Sequence, residues 1–127
     1  MIKIKIMPND TKTVAKVVLL DGNKVLLLKR SGYVKKFAND WDLPGGHLKQ
    51  NESLVKGLKR EVREETGVEI EDPVFFKNIE NIHFFVANYN FQEIKLSDEH
   101  TEYKFFEKDE LNLKEKFQKV AYEAMSG

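Results

Sequence analysis

Hydrophobic and polar positions in the first quarter of the chain follow the patterns of β-strands. Isoleucine alternates with lysine over residues 2–6, as in a strand with one exposed face. An apolar, β-branched run over residues 13–20 is followed by the turn sequence Asp-Gly-Asn and by a second apolar run over residues 24–29. Two runs separated in this way predict a β-hairpin.

The second half of the chain contains further strand patterns. Residues 74–79 and 82–89 are two apolar stretches that each predict a strand. Ile94 and Leu96 predict another short strand, and the aromatic-rich stretch over residues 103–106 predicts the next one. Strands are therefore expected on both sides of the central part of the chain.

The central part has helical periodicity with clear end signals. Four apolar residues recur at helical spacing: Leu54, Val55, Leu58 and Val62. Ser53 is a candidate N-cap, and Gly67 is a stop signal at the other end. Gly57 is unfavourable inside a helix, by roughly 1 kcal/mol relative to alanine. We expect it to allow close packing of another backbone segment on the helix.

Residues 108–125 predict an amphipathic helix near the end of the sequence. Five of its apolar residues share one face: Leu113, Phe117, Val120, Ala121 and Ala124. We expect this face to pack on the sheet. Strands, one central helix, more strands and a final helix together predict an α/β fold with a mixed β-sheet between helices.

Composition limits the kinds of protein this chain can be. Its 127 residues, 41% hydrophobic and 33% charged, suit a single globular domain spanning residues 1–127. The formal net charge is zero, which argues against stable nucleic-acid binding because that requires a basic surplus. The lack of cysteine excludes disulfides and thiolate sites and fits a cytoplasmic protein. No apolar run reaches membrane-spanning length.

Three carboxylates share one face of the predicted central helix. Glu61, Glu64 and Glu65 stand at i, i+3 and i+4, so their like charges repel each other in an isolated helix. A hard divalent cation removes this repulsion, and Mg²⁺ prefers oxygen ligands and works with substrate phosphates. The helix is therefore a candidate metal site.

The same stretch carries a sequence motif. The fixed positions of the Nudix box are occupied by Gly46, Glu52, Arg60, Glu61, Glu64, Glu65 and Gly67, and its apolar positions by Val62 and Val68. Seven fixed residues at about one in sixteen each, with two apolar positions, give a chance match on the order of 10⁻⁹ per start site. The stretch Trp-Asp-Leu-Pro-Gly at residues 41–45 leads into the box, as is common in Nudix proteins. The chain therefore resembles the MutT/Nudix pyrophosphohydrolases.

The resemblance implies a fold, a reaction and a cofactor. The fold would be the Nudix α/β/α sandwich, and the reaction would be hydrolysis of a diphosphate linkage in a nucleoside diphosphate derivative. The metal would be Mg²⁺ or Mn²⁺, held by Glu61, Glu64, Glu65 and the Gly45 carbonyl. A (d)NTP or an oxidised dNTP is the favoured substrate, and ADP-ribose or another nucleoside diphosphate sugar is the alternative. A nucleotide-sensing module without catalysis and a purely structural acidic helix are the hypotheses from other classes.

One acidic loop outside the box resembles the family's loop that carries a further glutamate. Glu99 matches best by its spacing from the predicted aromatic strand and would be a metal ligand or the general base, with Asp98 and Glu102 as rivals. The base would be Glu61, Glu64 or Glu99, and the sequence does not choose among these three. A solvated acidic surface is the alternative interpretation of this loop.

Basic and aromatic residues complete the predicted site. Arg60, counted with the catalytic residues, is expected to pair with Glu52 and hold the loop against the helix. Lys29 and Arg30 would bind substrate phosphates, with solvated strand-end cations as the alternative. Tyr33 is a candidate for stacking on a nucleobase or for anchoring its loop on the core. The expected partner is a nucleotide-derived small molecule, and the expected assembly is a monomer or a homodimer.

Overall fold

The computed structural model describes residues 10–32 and 39–126. Over these residues the strands are β1 (Asp10–Asp21), β2 (Lys24–Arg30), β3 (Trp41–Asp42), β4 (Gly45–Lys49), β5 (Val74–Ile79), β6 (Ile82–Asn88) and β7 (His100–Glu107). The helices are α1 (Leu54–Thr66) and α2 (Lys116–Ser126), with a 3₁₀ turn at Lys108–Glu110. The predicted strand at residues 2–6 and the candidate Tyr33 lie outside the described residues.

The strands form one mixed sheet that forks in its middle. β1 and β2 pair with each other only beside their hairpin turn. Beyond that point β4 pairs antiparallel with β1, and β3 pairs antiparallel with β2, so that the two short strands fill the gap. β6 runs parallel to β1 with β5 outside it, while β7 pairs with β2. The fork places Gly45 of β4 opposite Lys16 of β1.

Helices cover both faces of this sheet. α1 packs Leu58 and Val62 on one face, where they join a buried cluster with alternate residues of β1 and β2. α2 packs Val120 and Ala121 on the opposite face, against the other alternate residues of the same strands. The predicted α/β/α sandwich with a mixed sheet is confirmed. None of the helices in residues 10–32 and 39–126 has the length and apolar character needed to cross a bilayer.

Gly57 allows α1 to approach β4 closely. A Cβ atom at this position would lie 2.7 Å from Leu48 Cγ and 3.0 Å from Glu52 Oε1. Both distances are shorter than ordinary van der Waals contact, so a larger residue would push the helix away from the sheet. The unfavourable helix propensity of glycine is therefore offset by the packing that it permits, although the neighbours are the side chains of Leu48 and Glu52 and not the backbone segment expected from the sequence.

The predicted short strand at Ile94 and Leu96 is wrong. This segment has no strand geometry. The amides of Lys95 and Ser97 instead donate hydrogen bonds to the last carbonyl oxygens of α1, at 2.8 and 3.0 Å. Carbonyl groups at the end of a helix lack intrahelical partners, and here the neighbouring segment supplies them.

The final helix begins later than its apolar pattern indicates. α2 starts at Lys116, and Lys108–Glu110 form a 3₁₀ turn in place of a first helical turn. Between the two, Lys114 N–H donates to the Asn112 side chain at 3.0 Å. An asparagine side chain that bonds the local backbone competes with helix formation and ends the pattern there. Leu113, predicted on the helix face, is consequently exposed.

Candidate active site

α1 carries the acidic face on a helix that is capped at both ends. The Ser53 side chain accepts a hydrogen bond from Lys56 N–H at 3.2 Å. Gly67 closes the helix in the left-handed conformation, with a φ of 76°. Both end signals are those predicted from the sequence. They fix the orientation of the last turns of the helix, which carry the three glutamates.

Glu65 is the buried member of the acidic set. It is only 6% exposed, and its Oε1 atom accepts a hydrogen bond from Gly45 N–H at 2.8 Å. Burial raises the pKa of Glu65 to about 8, against the opposing effects of the Lys16 charge and of the Gly45 hydrogen bond. The neighbours of Glu65 therefore do not stabilise its ionised form enough to offset the burial, and a bound cation would stabilise that form further.

Glycine is needed at two successive positions beside these carboxylates. A Cβ atom on Gly45 would lie 2.0 Å from Ala15 O, and the residue has a φ of +133°, which side chains disfavour. A Cβ atom on Gly46 would lie 2.5 Å from Glu61 Oε2. β4 therefore presents bare backbone to the glutamates of α1.

Glu61 and Glu64 are progressively more exposed than Glu65. The side chain of Glu61 is 20% exposed and that of Glu64 is 54% exposed. Both accept a hydrogen bond from Arg60 Nη1, at 3.0 and 3.1 Å. Burial raises the pKa of Glu61, although the Arg60 hydrogen bond opposes this effect. One guanidinium thus holds the two outer carboxylates of the set.

Arg60 forms the predicted pair with Glu52. Its Nε donates to Glu52 Oε2 at 2.7 Å and its Nη2 donates to Glu52 Oε1 at 3.0 Å, so the pair is bidentate. This hydrogen bonding lowers the pKa of Glu52 and raises that of Arg60. Nη2 also donates to the His47 carbonyl at 3.0 Å. With the bonds to Glu61 and Glu64, all donors of the guanidinium are used, and we assign Arg60 a positioning role.

Within the described part of the chain, no three acidic or imidazole groups surround one point as a metal ion requires. Glu65 turns toward the Gly45 amide, and Glu64 is bonded to the guanidinium. Because Glu64 is exposed, its side chain can rotate away from that partner to join an ion. The donor chemistry fits a hard cation, and the Gly45 carbonyl already accepts a hydrogen bond from the Lys16 ammonium at 3.3 Å.

Comparison with known proteins decides the family. Residues 10–126 match the family model described as the NUDIX domain. The chain belongs to the Nudix family. A MutT protein of known crystal structure from Methanosarcina mazei Go1 is 29% identical, with a TM-score of 0.69 over 90% of this chain and 91% of that one. A MutT Nudix hydrolase from Burkholderia pseudomallei, 22% identical, shares the fold with a TM-score of 0.74 over 87% and 95% of the two chains.

Curated relatives share part of their length with this chain. An 8-oxo-dGTP diphosphatase from Buchnera aphidicola subsp. Schizaphis graminum is 36% identical over 80 residues, which are 62% of this chain and 54% of that protein. A second one, from Buchnera aphidicola subsp. Acyrthosiphon pisum, is 41% identical over 61 residues, 46% of this chain and 49% of that protein. The chain thus spans about half the length of these relatives.

The basic residues at the end of β2 have different partners in this Nudix domain. Lys29 Nζ lies 3.9 Å from Glu102 Oε2, and the two side chains are 33% and 56% exposed. Arg30 Nη1 donates to Asp42 Oδ2 at 3.3 Å, and Asp42 is buried. Lys29 therefore has a distant, exposed carboxylate as its partner, whereas Arg30 donates to a buried one. Glu102, a rival of Glu99 in the sequence, lies within β7 and faces Lys29.

The acidic loop before β7 lies beside the end of the Nudix helix. Ser97 N–H donates to the Glu65 carbonyl at 3.0 Å, and Ser31 N–H donates to the Glu99 carbonyl at 2.8 Å. The backbone of the loop is therefore bonded both to α1 and to the segment after β2. Glu99 is exposed and lies directly before β7. The hydrogen bond from Ser97 thus fixes the loop to α1 two residues before the exposed Glu99.

A cavity of about 350 Å³ opens beside β3 and the first turn of α2. Its lining residues are Arg30, Asp40, Trp41, Asp42, Ile82, Glu115, Lys116 and Phe117. Trp41 and Phe117 give this cavity aromatic walls of the kind that accept a flat, apolar ring system. Trp41 also packs edge-on against Phe106, with ring centroids 5.0 Å apart.

Three buried polar residues near the site are missed by the sequence patterns. Lys16, Asp42 and His100 are each less than 8% exposed. The Lys16 ammonium lies 3.1 Å from both Asp42 carboxylate oxygens. A buried ion pair could have been predicted from the lysine inside the apolar run over residues 13–20, because lysine is rarely buried without a partner. His100 carries no comparable signal.

His100 makes the stability of the fold sensitive to acid. Neither ring nitrogen has a hydrogen-bond partner among the described residues. Burial lowers the pKa of His100 from 6.5 to about 4, because the charged ring is poorly solvated there. Between those two pH values the unfolded chain binds more protons than the folded one. Stability therefore falls as the pH is lowered through this window.

We expect His100→Leu to remove this acid sensitivity. Wild type should lose about 2–3 kcal/mol of unfolding free energy through this group between pH 7 and pH 4.5, and the variant should not. At pH 7 the variant should be at least as stable as wild type, since two unsatisfied buried atoms are gone. Urea unfolding at both pH values measures this, with exposed His47→Leu as the matched control. The same pH dependence in wild type and His100→Leu would contradict it.

Proposed function

We propose that this Nudix protein hydrolyses a diphosphate linkage in a nucleoside diphosphate derivative, with a (d)NTP or an oxidised dNTP as the favoured substrate. The observation that carries the proposal is the acidic face of α1, where Glu61, Glu64 and Glu65 stand against the bare backbone of β4. The relatives named 8-oxo-dGTP diphosphatase support the choice of substrate.

The residues present fit Mg²⁺ or Mn²⁺ as the cofactor. Glu61, Glu64, Glu65 and the Gly45 carbonyl would hold the metal, with Glu99 joining from its loop. All five offer oxygen atoms, which these ions prefer. Burial raises the pKa of both Glu61 and Glu65, so a cation would relieve an electrostatic cost that the fold already contains. When bound, the metal supplies positive charge for the phosphate oxygens and an acidified water.

The side chains of the site perform the remaining tasks. The ammonium of Lys29 and the guanidinium of Arg30 stabilise negative charge on the substrate phosphates. A carboxylate among Glu61, Glu64 and Glu99 accepts the proton of the attacking water.

The cavity beside Trp41 and Phe117 would hold the nucleobase. Its aromatic walls offer stacking, and Asp40 and Lys116 at its rim offer polar contacts. ADP-ribose or another nucleoside diphosphate sugar is the alternative substrate, since it presents a base and a diphosphate in the same way. A sensing module without catalysis is the alternative class, but a module that only binds has no need of the complete acidic set.

We expect the partner to be a free nucleotide. The net charge of zero gives the chain no basic surplus for stable nucleic-acid binding. We further expect a cytoplasmic protein that works as a monomer or a homodimer.

Hydrolysis rates for 8-oxo-dGTP, dGTP, ADP-ribose and UDP-glucose with Mg²⁺ test the substrate, and 8-oxo-dGTP or dGTP should give the highest kcat/KM. A higher value for ADP-ribose or UDP-glucose would overturn this choice.

Glu65→Gln should bind Mn²⁺ at least about tenfold more weakly than wild type, because it removes the innermost carboxylate of the set while keeping its shape. Titration calorimetry on metal-free protein measures the affinity. Glu69→Gln is the matched control, since Glu69 is exposed beyond the helix and pairs only loosely with Arg63, at 3.6 Å. Equal Mn²⁺ affinities of wild type and Glu65→Gln would contradict the metal assignment.

A further inference from the structure

Lys16 is a buried cation that contacts the backbone of the proposed metal site. Its Nζ lies 3.1 Å from both Asp42 oxygens, 3.1 Å from the Leu43 carbonyl and 3.3 Å from the Gly45 carbonyl. The same atom stands 5.4 Å from the centre of the Phe117 ring. Lys16 therefore connects the aromatic cavity with the carbonyl group proposed as a metal ligand.

The Asp42 pair alone does not account for this placement. Asp42 also accepts a hydrogen bond from Arg30, so one carboxylate faces two cations. The ammonium directs its remaining hydrogen-bonding capacity to the uncharged carbonyl groups of Leu43 and Gly45. Its charge also favours the ionised forms of Glu61 and Glu65. Lys16 thus acts on three members of the proposed ligand set.

We propose that the Lys16 ammonium stands in for a cation at the Gly45 carbonyl in the metal-free protein and lowers the affinity of the site for divalent metal. This inference rests on the proposed function, because it takes Gly45 and the glutamates as metal ligands. A divalent ion at that carbonyl would lie a few ångströms from the ammonium, and like charges in a buried site repel strongly.

A divalent ion at the Gly45 carbonyl brings two positive charges to the site beside Lys16. The flexible lysine stem lets the ammonium withdraw from Gly45 while it stays bonded to Asp42. In the metal-free protein the Lys16 ammonium therefore compensates part of the buried acidic charge. When the metal binds, the ammonium leaves the Gly45 carbonyl and stays bonded to Asp42.

Mn²⁺ titration calorimetry on metal-free variants tests the proposal. Lys16→Met should bind Mn²⁺ at least roughly tenfold more tightly than wild type, because the competing charge is gone. Asp42→Asn should bind Mn²⁺ more weakly than wild type, because it takes away the acceptor to which Lys16 withdraws. Lys119→Met is the matched control with the same substitution at an exposed site on α2, and it should bind as wild type does. A purely structural Lys16 predicts no gain in affinity.

A double variant keeps the test decisive if Lys16→Met does not fold. Lys16→Met/Asp42→Asn removes both charges together, so neither is left buried without its partner. It should also bind Mn²⁺ more tightly than wild type and gain more in melting temperature when Mn²⁺ is added. Equal or weaker Mn²⁺ affinity in the folded Lys16 variants would overturn the role of Lys16 alone. Failure of every variant and of wild type to bind Mn²⁺ would overturn the proposed metal site, and this inference with it.

Discussion

Arg60→Ala should lower the free energy of unfolding by about 3 kcal/mol and remove most of the activity. The side chains of Arg60 and Glu52 are only 14% and 15% exposed, and they form a bidentate pair. Loss of the arginine leaves the Glu52 charge largely buried without compensation. It also releases Glu61, which Arg60 holds, so the geometry of the proposed metal site should be lost as well.

Arg63→Ala is the matched control for this prediction. Arg63 lies on the same helix, but its side chain is 52% exposed and meets Glu69 only at 3.6 Å. Such a surface pair contributes at most about 1 kcal/mol, so the control should melt close to wild type. Thermal and urea unfolding of both variants give the comparison. If Arg60→Ala is no less stable than Arg63→Ala, Arg60 does not position the helix in the way we describe.

Glu99→Gln should reduce kcat by roughly 10²–10⁴ with a modest change in KM, if Glu99 is the general base. The loop is bonded to α1 through Ser97 and Glu65, and it places the exposed Glu99 directly before β7. Loops fixed on a rigid scaffold commonly carry catalytic groups. If Glu99 is a metal ligand instead, higher Mn²⁺ concentration should restore part of the lost rate.

Asp98→Asn and Glu102→Gln are the comparison variants, each assayed over a range of Mn²⁺ concentrations. Glu102 lies in β7 and pairs with Lys29 across the surface, so its loss should have a small effect. Wild-type turnover in Glu99→Gln together with a collapse in either neighbour would show that another carboxylate has this role. If none of the three matters, the loop is solvated surface and the glutamates of α1 perform the chemistry alone.

Local signals explain why the central helix could be predicted from sequence. The cap at Ser53, the left-handed stop at Gly67 and the tight contact at Gly57 each depend on residues close to the helix itself. The Arg60–Glu52 pair follows from the fixed spacing of the box. Local patterns also predicted the two strands of the hairpin and the two strands after the helix, each within a few residues of its observed bounds.

Non-local contacts decide the features that the sequence did not reveal. The segment around Lys95 looks like a strand, but it bonds to the end of α1 because open carbonyl groups are available there. Lys16 meets Asp42 only because the sheet forks, and the fork depends on the pairing of four strands. The periodicity of one segment contains no information about contacts between segments that are distant in the sequence.

The central claim is that the acidic face of α1 makes this Nudix chain a metal-dependent nucleotide hydrolase. The most direct test is chromatographic detection of the nucleoside monophosphate formed from 8-oxo-dGTP, with Mg²⁺, with EDTA, and with Mg²⁺ and Glu65→Gln. We expect product with wild type and Mg²⁺, none in EDTA, and a rate at least about 100-fold lower in Glu65→Gln. A rate that persists in EDTA or in Glu65→Gln would contradict the claim, as would the absence of product from 8-oxo-dGTP, dGTP, ADP-ribose and UDP-glucose alike.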